Sequence, residues 1–273
     1  MKFEPMEVSM KKSAVLAVLA PLAIPMLVVG QSALDGTWKA DLHKSSLDPK
    51  PVVFVLADGM YDCKTCEPPY QVKADGIDHV VKGQPYFDTA AIRVVNSHEI
   101  EEVDKKNGKV VTTATTIVSA DGKTETFTFK DSSNTNGGSP VTGTIEATKV
   151  AEGPAGSHAI SGSWRIAKPA SLSDNAIVWT YKVSGGELTM TNPTGQSYTA
   201  RLDGTEAPMK GDPGVTGVSV KLLAPNTLQE TDKRDGKVIS VWTMTVSADG
   251  KTAEAIAEDK LSDRKSELAI TKQ

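Results

Sequence analysis

Val118-Ser119-Ala120-Asp121-Gly122-Lys123-Thr124 returns unchanged as Val246-Ser247-Ala248-Asp249-Gly250-Lys251-Thr252, 128 positions on (118 to 246). Ala-Asp-Gly between strand-forming residues is a hairpin signal. Ala and Asp suit the αR positions of a type I turn, and Gly suits the left-handed position that closes a three-residue loop. The same spacing lays Asn107-Gly108-Lys109-Val110 on Asp235-Gly236-Lys237-Val238, Tyr70 on Tyr198, Asp75-Gly76 on Asp203-Gly204, and Asp104-Lys105 on Asp232-Lys233. Upstream, Gly36-Thr37-Trp38 matches Gly162-Ser163-Trp164 at a spacing of 126 (36 to 162). A period of this length is a domain rather than a solenoid unit. The chain therefore reads as a duplication, which speaks to architecture and not to chemistry.

Residues 1–31 read as a signal peptide. Met10-Lys11-Lys12 precedes an apolar run from Ala14 to Val29, an n-region followed by an h-region. Glu4 and Glu7 are foreign to an n-region and make Met10 an alternative start; cleavage is expected after Gly30 or Ala33. A retained membrane anchor is the rival reading. Against it stand the shortness of the run and Pro21 and Pro25, which oppose a spanning helix. No Cys follows the run, so a bacterial lipid anchor is not expected. The expected location is periplasmic or secreted, with no membrane span after cleavage.

The remaining chain is long enough for two domains: 32–150 and 158–273, joined by a linker at 151–157 (Ala-Glu-Gly-Pro-Ala-Gly-Ser). Net charge is −4 with both signs interspersed, which lacks the basic footprint of a nucleic-acid partner. Period-two patterns and turn residues mark strands throughout. In the first domain they include 36–43, 52–57, 70–74 and 89–95, then a meander of 99–104, 109–119 and 124–130, and a closing strand at 141–150. Asn107-Gly108 is a type I′ hairpin turn. The second domain repeats the plan, and no helical period is found after the signal segment. The fold class is all-β: two tandem antiparallel up-and-down β-barrels, since closure removes unpaired edges.

Gly-x-Trp on a first strand, followed by such a meander, resembles the lipocalin and fatty-acid-binding superfamily. The motif stands here twice, as Gly36-Thr37-Trp38 and Gly162-Ser163-Trp164. The resemblance implies a Trp packed across the closed end of each barrel, a small apolar ligand inside, and a basic residue on the last strand, for which Lys149 and Lys272 stand in place. The superfamily's Thr-Asp-Tyr corner is not reproduced; Thr231-Asp232-Lys233 lacks the Tyr. The chain is also similar to secreted bacterial tandem-repeat proteins of unassigned function, which carry a Gly-Thr-Trp-Lys start and a Ser-Ala-Asp-Gly-Lys-Thr turn.

Residues that could carry chemistry are few. Cys63-Lys64-Thr65-Cys66 is the one cysteine pair, and in an exported chain this spacing points to a disulfide. Glu67 stands where haem attachment needs His, and no βαβ pattern supports a thioredoxin-like site. A metal would need two further ligands, with His43 and His79 nearest. His79, beside Asp75 and Asp78, reads as part of a solvated loop, and His98 as a turn residue. No Ser/His/Asp set and no phosphate loop is found. No enzyme activity, cofactor or metal is expected.

A three-residue turn would pair Ser119 with Lys123 and thereby set the faces. Ile117, Phe127 and Phe129 then share one face in the first domain. In the second, Trp242, Met244, Val246 and Ile256 lie on the face opposite to Thr245, Ala255 and Ala257. The expectation is a ligand cavity involving Trp38, Phe127, Phe129 and Trp164, and an apolar outer patch of Trp242, Met244 and Ile256 that packs on the other domain or a protein partner. The leading reading is an exported binding protein for a small apolar ligand. The alternative is an envelope structural or protein-interaction module without ligand or catalytic activity, and a CxxC oxidoreductase is a third class.

Overall fold

A computed structural model describes residues 32–273, with backbone only for 167–170; the expected signal segment lies outside the described residues. The repeated heptapeptide does form a hairpin, but with one more residue in the loop than expected. Val118 pairs with Glu125 and the Ser119 amide donates to the Thr124 carbonyl at 2.9 Å. Asp121 is the cause. Its Oδ1 accepts from the Lys123 amide and from Ser119 Oγ at 3.1 and 2.7 Å, which holds Lys123 in the loop. The second copy does the same through Asp249. A one-residue shift turns every side chain to the other face, so the expected pairing of Ser119 with Lys123 and the faces built on it are corrected. Asn107 and Gly108, at φ 52° and 75°, form the expected type I′ turn between Lys106 and Lys109.

Strand β1 is Gly36–Ser46. Then come β2 (Val52–Ala57), β3 (Met60–Cys63), β4 (Tyr70–Lys73), β5 (His79–Val80), β6 (Thr89–Asn96), β7 (Glu99–Lys106), β8 (Lys109–Val118), β9 (Thr124–Asp131), β10 (Val141–Glu152) and β11 (Gly162–Leu172). The second half holds β12 (Val178–Ser184), β13 (Glu187–Thr191), β14 (Ser197–Arg201), β15 (Asp203–Pro208), β16 (Gly217–Ala224), β17 (Thr227–Arg234), β18 (Lys237–Val246), β19 (Thr252–Asp259) and β20 (Arg264–Lys272). The one helical turn among the described residues is a 3₁₀ turn at Asp174–Ala176, and no helix among them is long and apolar enough to cross a membrane.

The strands make two antiparallel, nearly closed ten-stranded barrels. Their membership does not follow the sequence repeats. The first barrel is β2 to β11 in unbroken order, with β11 lying between β10 and β2. The second is β12 to β20, with β1 seated between β20 and β12. Each repeat has thus given its first strand to the other. The expected domains 32–150 and 158–273 are corrected accordingly to 52–172 and 178–272 plus 36–46. The expected linker at 151–157 is the end of β10 and the start of the connection 153–161 into β11, a hairpin packed closely at its base. That hairpin decides the exchange. A Cβ on Gly153 would lie 2.4 Å from Ser161 Cβ, and one on Gly162 would lie 2.5 Å from the Ala151 carbonyl, so β11 is clamped directly against β10. The place beside β10 is taken, and β1 must close the other barrel. Its exit, Leu47–Pro51, is tied to that barrel: Asp48 Oδ2 accepts from the Lys265 amide at 2.7 Å and Arg264 Nη2 donates to the Pro51 carbonyl at 2.8 Å.

The Gly-x-Trp residues show why the exchanged strands fit. Trp38 and Trp164 are both fully buried. Their indole N–H groups donate to the carbonyls of Leu34 and Ile160, each at 2.8 Å, so neither burial strands a donor. Lys272 Nζ stands 4.9 Å from the Trp38 ring centroid and Lys149 Nζ 4.8 Å from that of Trp164, within cation–π range. Gly36, at φ 130°, leaves room for the Lys272 side chain, whose Cε would lie 2.6 Å from an added Cβ. Each Trp therefore meets the lysine of the barrel that it closes. Around Trp38 pack Leu188, Val220, Leu228, Met244 and Ile270; around Trp164 pack Leu56, Ile92, Ile100, Val118 and Ile160. Each such side chain contributes roughly 1.5–3 kcal/mol on burial.

The strand exchange makes the two barrels unequal when separated. A fragment of residues 49–173 carries every strand of the first barrel and is expected to unfold cooperatively as a monomer, followed by circular dichroism in urea. Residues 174–273 lack β1 and Trp38 and are expected to be unfolded or aggregated until a peptide of residues 32–48 is added. Cooperative unfolding of 174–273 without the peptide would contradict this arrangement.

Candidate functional site

Two barrel interiors carry the groups of interest. On β7, Ile100, Glu102 and Asp104 alternate onto the inner face; on β17, Leu228, Glu230 and Asp232 do the same. Ile100 and Leu228 are core residues, so the acids that follow at the same parity are carried inside with them. In the first barrel Tyr70 donates its hydroxyl to Glu102 Oε1 at 2.8 Å. In the second, Tyr198 and Tyr181 both donate to Glu230 Oε2, and Ser240 Oγ donates to Asp232 Oδ2 at 2.6 Å.

The first barrel holds a partly open cavity of about 370 Å³. Five rings line it: Phe54, Tyr61, Tyr70, Phe87 and Phe127. Phe54, Tyr61, Tyr70 and Phe87 form a chain with successive centroids 6.1, 6.2 and 5.7 Å apart. Glu102, Asp104 and Glu125 face the same space. Asp104 Oδ1 and Glu125 Oε2 are buried without a hydrogen-bond partner. The second barrel has a more open cavity of about 440 Å³, where Trp179 and Trp242 meet edge to face with centroids 5.7 Å apart, above Tyr181, Glu230 and Asp232. Both indole Nε1 atoms and Asp232 Oδ1 are buried and unpaired.

Burial shifts these acids. Glu125 is pushed up to about 7 by desolvation, against a smaller opposing pull from Lys149. Glu230 is pushed up to about 8, first by desolvation and then by the Asp232 charge, with the tyrosine hydroxyls opposing. Glu102 and Asp104 are both raised, chiefly by desolvation, and the Glu102 charge raises Asp104 further. The Tyr61 and Tyr70 phenols are raised by the same burial, so they act here as neutral hydrogen-bond donors.

The expected site residues separate. Phe127 lines the first cavity. Phe129 stacks on Phe127 at 5.5 Å but lies over Gly143 and Leu172, where its ring takes the space of a Cβ. Trp38 and Trp164 plug their barrels and line neither cavity. The outer patch of Trp242, Met244 and Ile256 is corrected. Trp242 pairs with Ala257 and Met244 with Ala255 on the inner face, and Met244 is fully buried. Ile256, opposite Thr243, faces outward alone. The longer turn reverses the assignment, and Trp242 becomes a wall of the second cavity. Cys63 and Cys66 form a disulfide. Cys63 is in the core and Cys66 on the cavity wall, and their loop is held to β2 through Thr65 Oγ1, which accepts from the Val53 amide at 3.0 Å. His79 is hydrogen-bonded to Asp75 Oδ1 at 2.8 Å and lines neither cavity. The buried acids were the residues missed. Their signal was present in the repeat: Glu102-Val103-Asp104 and Glu230-Thr231-Asp232 stand 128 apart (102 to 230) at core parity.

No protein-family model, curated protein or solved structure matches the chain.

The raised acids set a pH dependence. Their folded-state values lie above the unfolded ones, so between pH 4.5 and about 7 the folded chain holds more protons at Glu125 than the unfolded chain. Stability is then lost as pH rises through that window. Glu125→Gln removes this term. Its urea-unfolding free energy is expected to exceed that of the parent by roughly 2–4 kcal/mol at pH 8 and to match it near pH 4. An equal gain at both pH values, or a loss at pH 8, would contradict a buried, ionisable Glu125.

Proposed function

We propose that this is an exported binding protein whose lipocalin-like barrels hold a small molecule with an apolar body, and that its role is binding rather than catalysis. The observation that carries the reading is the first barrel's cavity of about 370 Å³, lined by five aromatic rings. Binding pockets for small molecules have this size and this mainly apolar lining with few polar groups. The Gly-x-Trp strand under a lysine of the adjacent strand, present in both barrels, supports the likeness to lipocalins that the motif raised. The Cys63–Cys66 disulfide suits an oxidising compartment, in keeping with a periplasmic or secreted protein.

A neutral environment-sensitive dye, N-phenyl-1-naphthylamine, tests the reading. Its fluorescence is expected to rise and saturate on titration with the full chain, and to be lost in Ile145→Trp, which fills the cavity from β10. Weak, non-saturating fluorescence in the parent, unchanged by that substitution, would instead favour a structural or interaction module.

A further inference from the structure

The repeat offers an internal comparison for the buried acids. In the second barrel the pair is supplied with donors from the protein itself. Two tyrosine hydroxyls reach Glu230, and Ser240 reaches Asp232. Thr112 stands where the repeat places Ser240, but its hydroxyl donates to Asp131 Oδ1 at 3.3 Å instead. Asp104 loses the donor that its counterpart keeps. It is 6 % exposed and its Oδ1 has no partner. Glu102 keeps the single Tyr70 hydroxyl. Glu125, 5 % exposed and also unpaired at Oε2, has Ala253 as its counterpart. Asp232 Oδ1 is unpaired as well, but its Oδ2 keeps the Ser240 hydroxyl; the first barrel thus differs in leaving Asp104 without that donor and in adding Glu125 where the second has Ala253.

The nature of the missing donor follows from the walls. Among the described residues no lysine or arginine lines this cavity, whereas Glu67, Glu102, Asp104 and Glu125 do. An anionic ligand would meet carboxyl groups on the wall, with Lys149 acting on Glu125 from outside the lining. A purely apolar ligand would leave Asp104 Oδ1 and Glu125 Oε2 buried and unpaired, at a cost of about 1–3 kcal/mol each. A quaternary ammonium offers no N–H. A protonated amine offers N–H donors and positive charge together, and the ring faces around it attract a cation.

We propose that the first barrel selects a protonated amine carrying an apolar body, with the ammonium on Asp104 beside Glu102 and the body against Phe54, Tyr61, Phe87 and Phe127. This rests on the reading of the barrel as a ligand cavity and adds the ligand's charge class to it. The raised proton affinities of Asp104 and Glu102 agree with a carboxyl pair that lacks a countercharge until such a ligand arrives.

Three compounds with one ring system separate the possibilities: 1-naphthylmethylamine, 1-naphthylmethanol and 1-naphthylacetate. Each is titrated into the full chain by calorimetry near neutral pH. The amine is expected to bind roughly ten- to a hundredfold tighter than the alcohol, the advantage of a hydrogen bond to a charged group, and the carboxylate weakest. Asp104→Asn is expected to bring the amine down to the alcohol's affinity without weakening the alcohol, which also reports that the variant is folded. Asp232→Asn is expected to leave the preference intact. Equal affinity for amine and alcohol overturns the charge selectivity and leaves the apolar-ligand reading standing. Preference for the carboxylate overturns it as well. A preference abolished by Asp232→Asn and kept by Asp104→Asn moves the amine to the second barrel and overturns the assignment. Failure of all three compounds to bind overturns the ligand reading itself.

Discussion

The exchange of first strands is the constraint on which the rest of the structure depends. Two equivalent Gly-x-Trp strands exist, and each barrel has one place for such a strand. The close packing of Gly153 on Ser161 and of Gly162 on Ala151 seats β11 beside β10, and that leaves β1 for the second barrel. Closure of the second barrel then requires chain segments more than a hundred residues apart, with Lys39 opposite Thr271 on one side and Val178 on the other. Such long-range pairing meets its loop-closure entropy late. The first barrel also closes over more than a hundred residues, with Ser163 opposite Val53, but does so within one run of ten consecutive strands. The exchange also joins the barrels through the Leu47–Pro51 crossing and its polar ties to Arg264 and Lys265.

Closure is also what permits the interior chemistry. A closed barrel satisfies its backbone by strand pairing and leaves the interior to side chains. Trp164 and its lysine plug one end of the first barrel, while the wider part stays open around a carboxyl pair. Burying such acids costs several kcal/mol unless they are protonated or paired. That cost is a reason to connect them with binding. A filled barrel with aliphatic side chains at positions 102, 104 and 125 would be the more stable solution. The two barrels meet the problem differently, the second with three internal hydroxyl donors and the first with Tyr70 alone, although their β7 and β17 acids are the same.

Much of the fold was legible in the sequence because local signals specify it. Positive-φ pairs such as Asn107-Gly108 mark their turns unaided, and the strand expected over 109–119 is found as β8, Lys109–Val118. Three features were not legible. The loop length at Asp121 turns on a side-chain hydrogen bond to the Lys123 amide, and its one-residue effect reversed the faces of Trp242 and Ile117. The short strands β3 and β5 carry too few residues for a period to show, Cys63 is the last residue of the first of them, and β15 (Asp203–Pro208) has no apolar alternation. The exchange itself leaves no local mark, since Trp38 and Trp164 sit in equivalent surroundings in either connection. The acids at 102 and 230 were visible at core parity, yet charged residues on a strand read by default as solvated.

The strand exchange can be tested directly through β1. Thr37 and Thr180 are paired across β1 and β12 with their hydroxyl oxygens 2.9 Å apart, whereas Val53 of the first repeat lies opposite Ser163. Thr37→Cys combined with Thr180→Cys is predicted to form an intrachain disulfide, mapped by proteolysis and mass spectrometry, while Thr37→Cys combined with Val53→Cys is predicted to leave both thiols free. A bridge in the second combination and none in the first would place β1 in its own repeat and contradict the account.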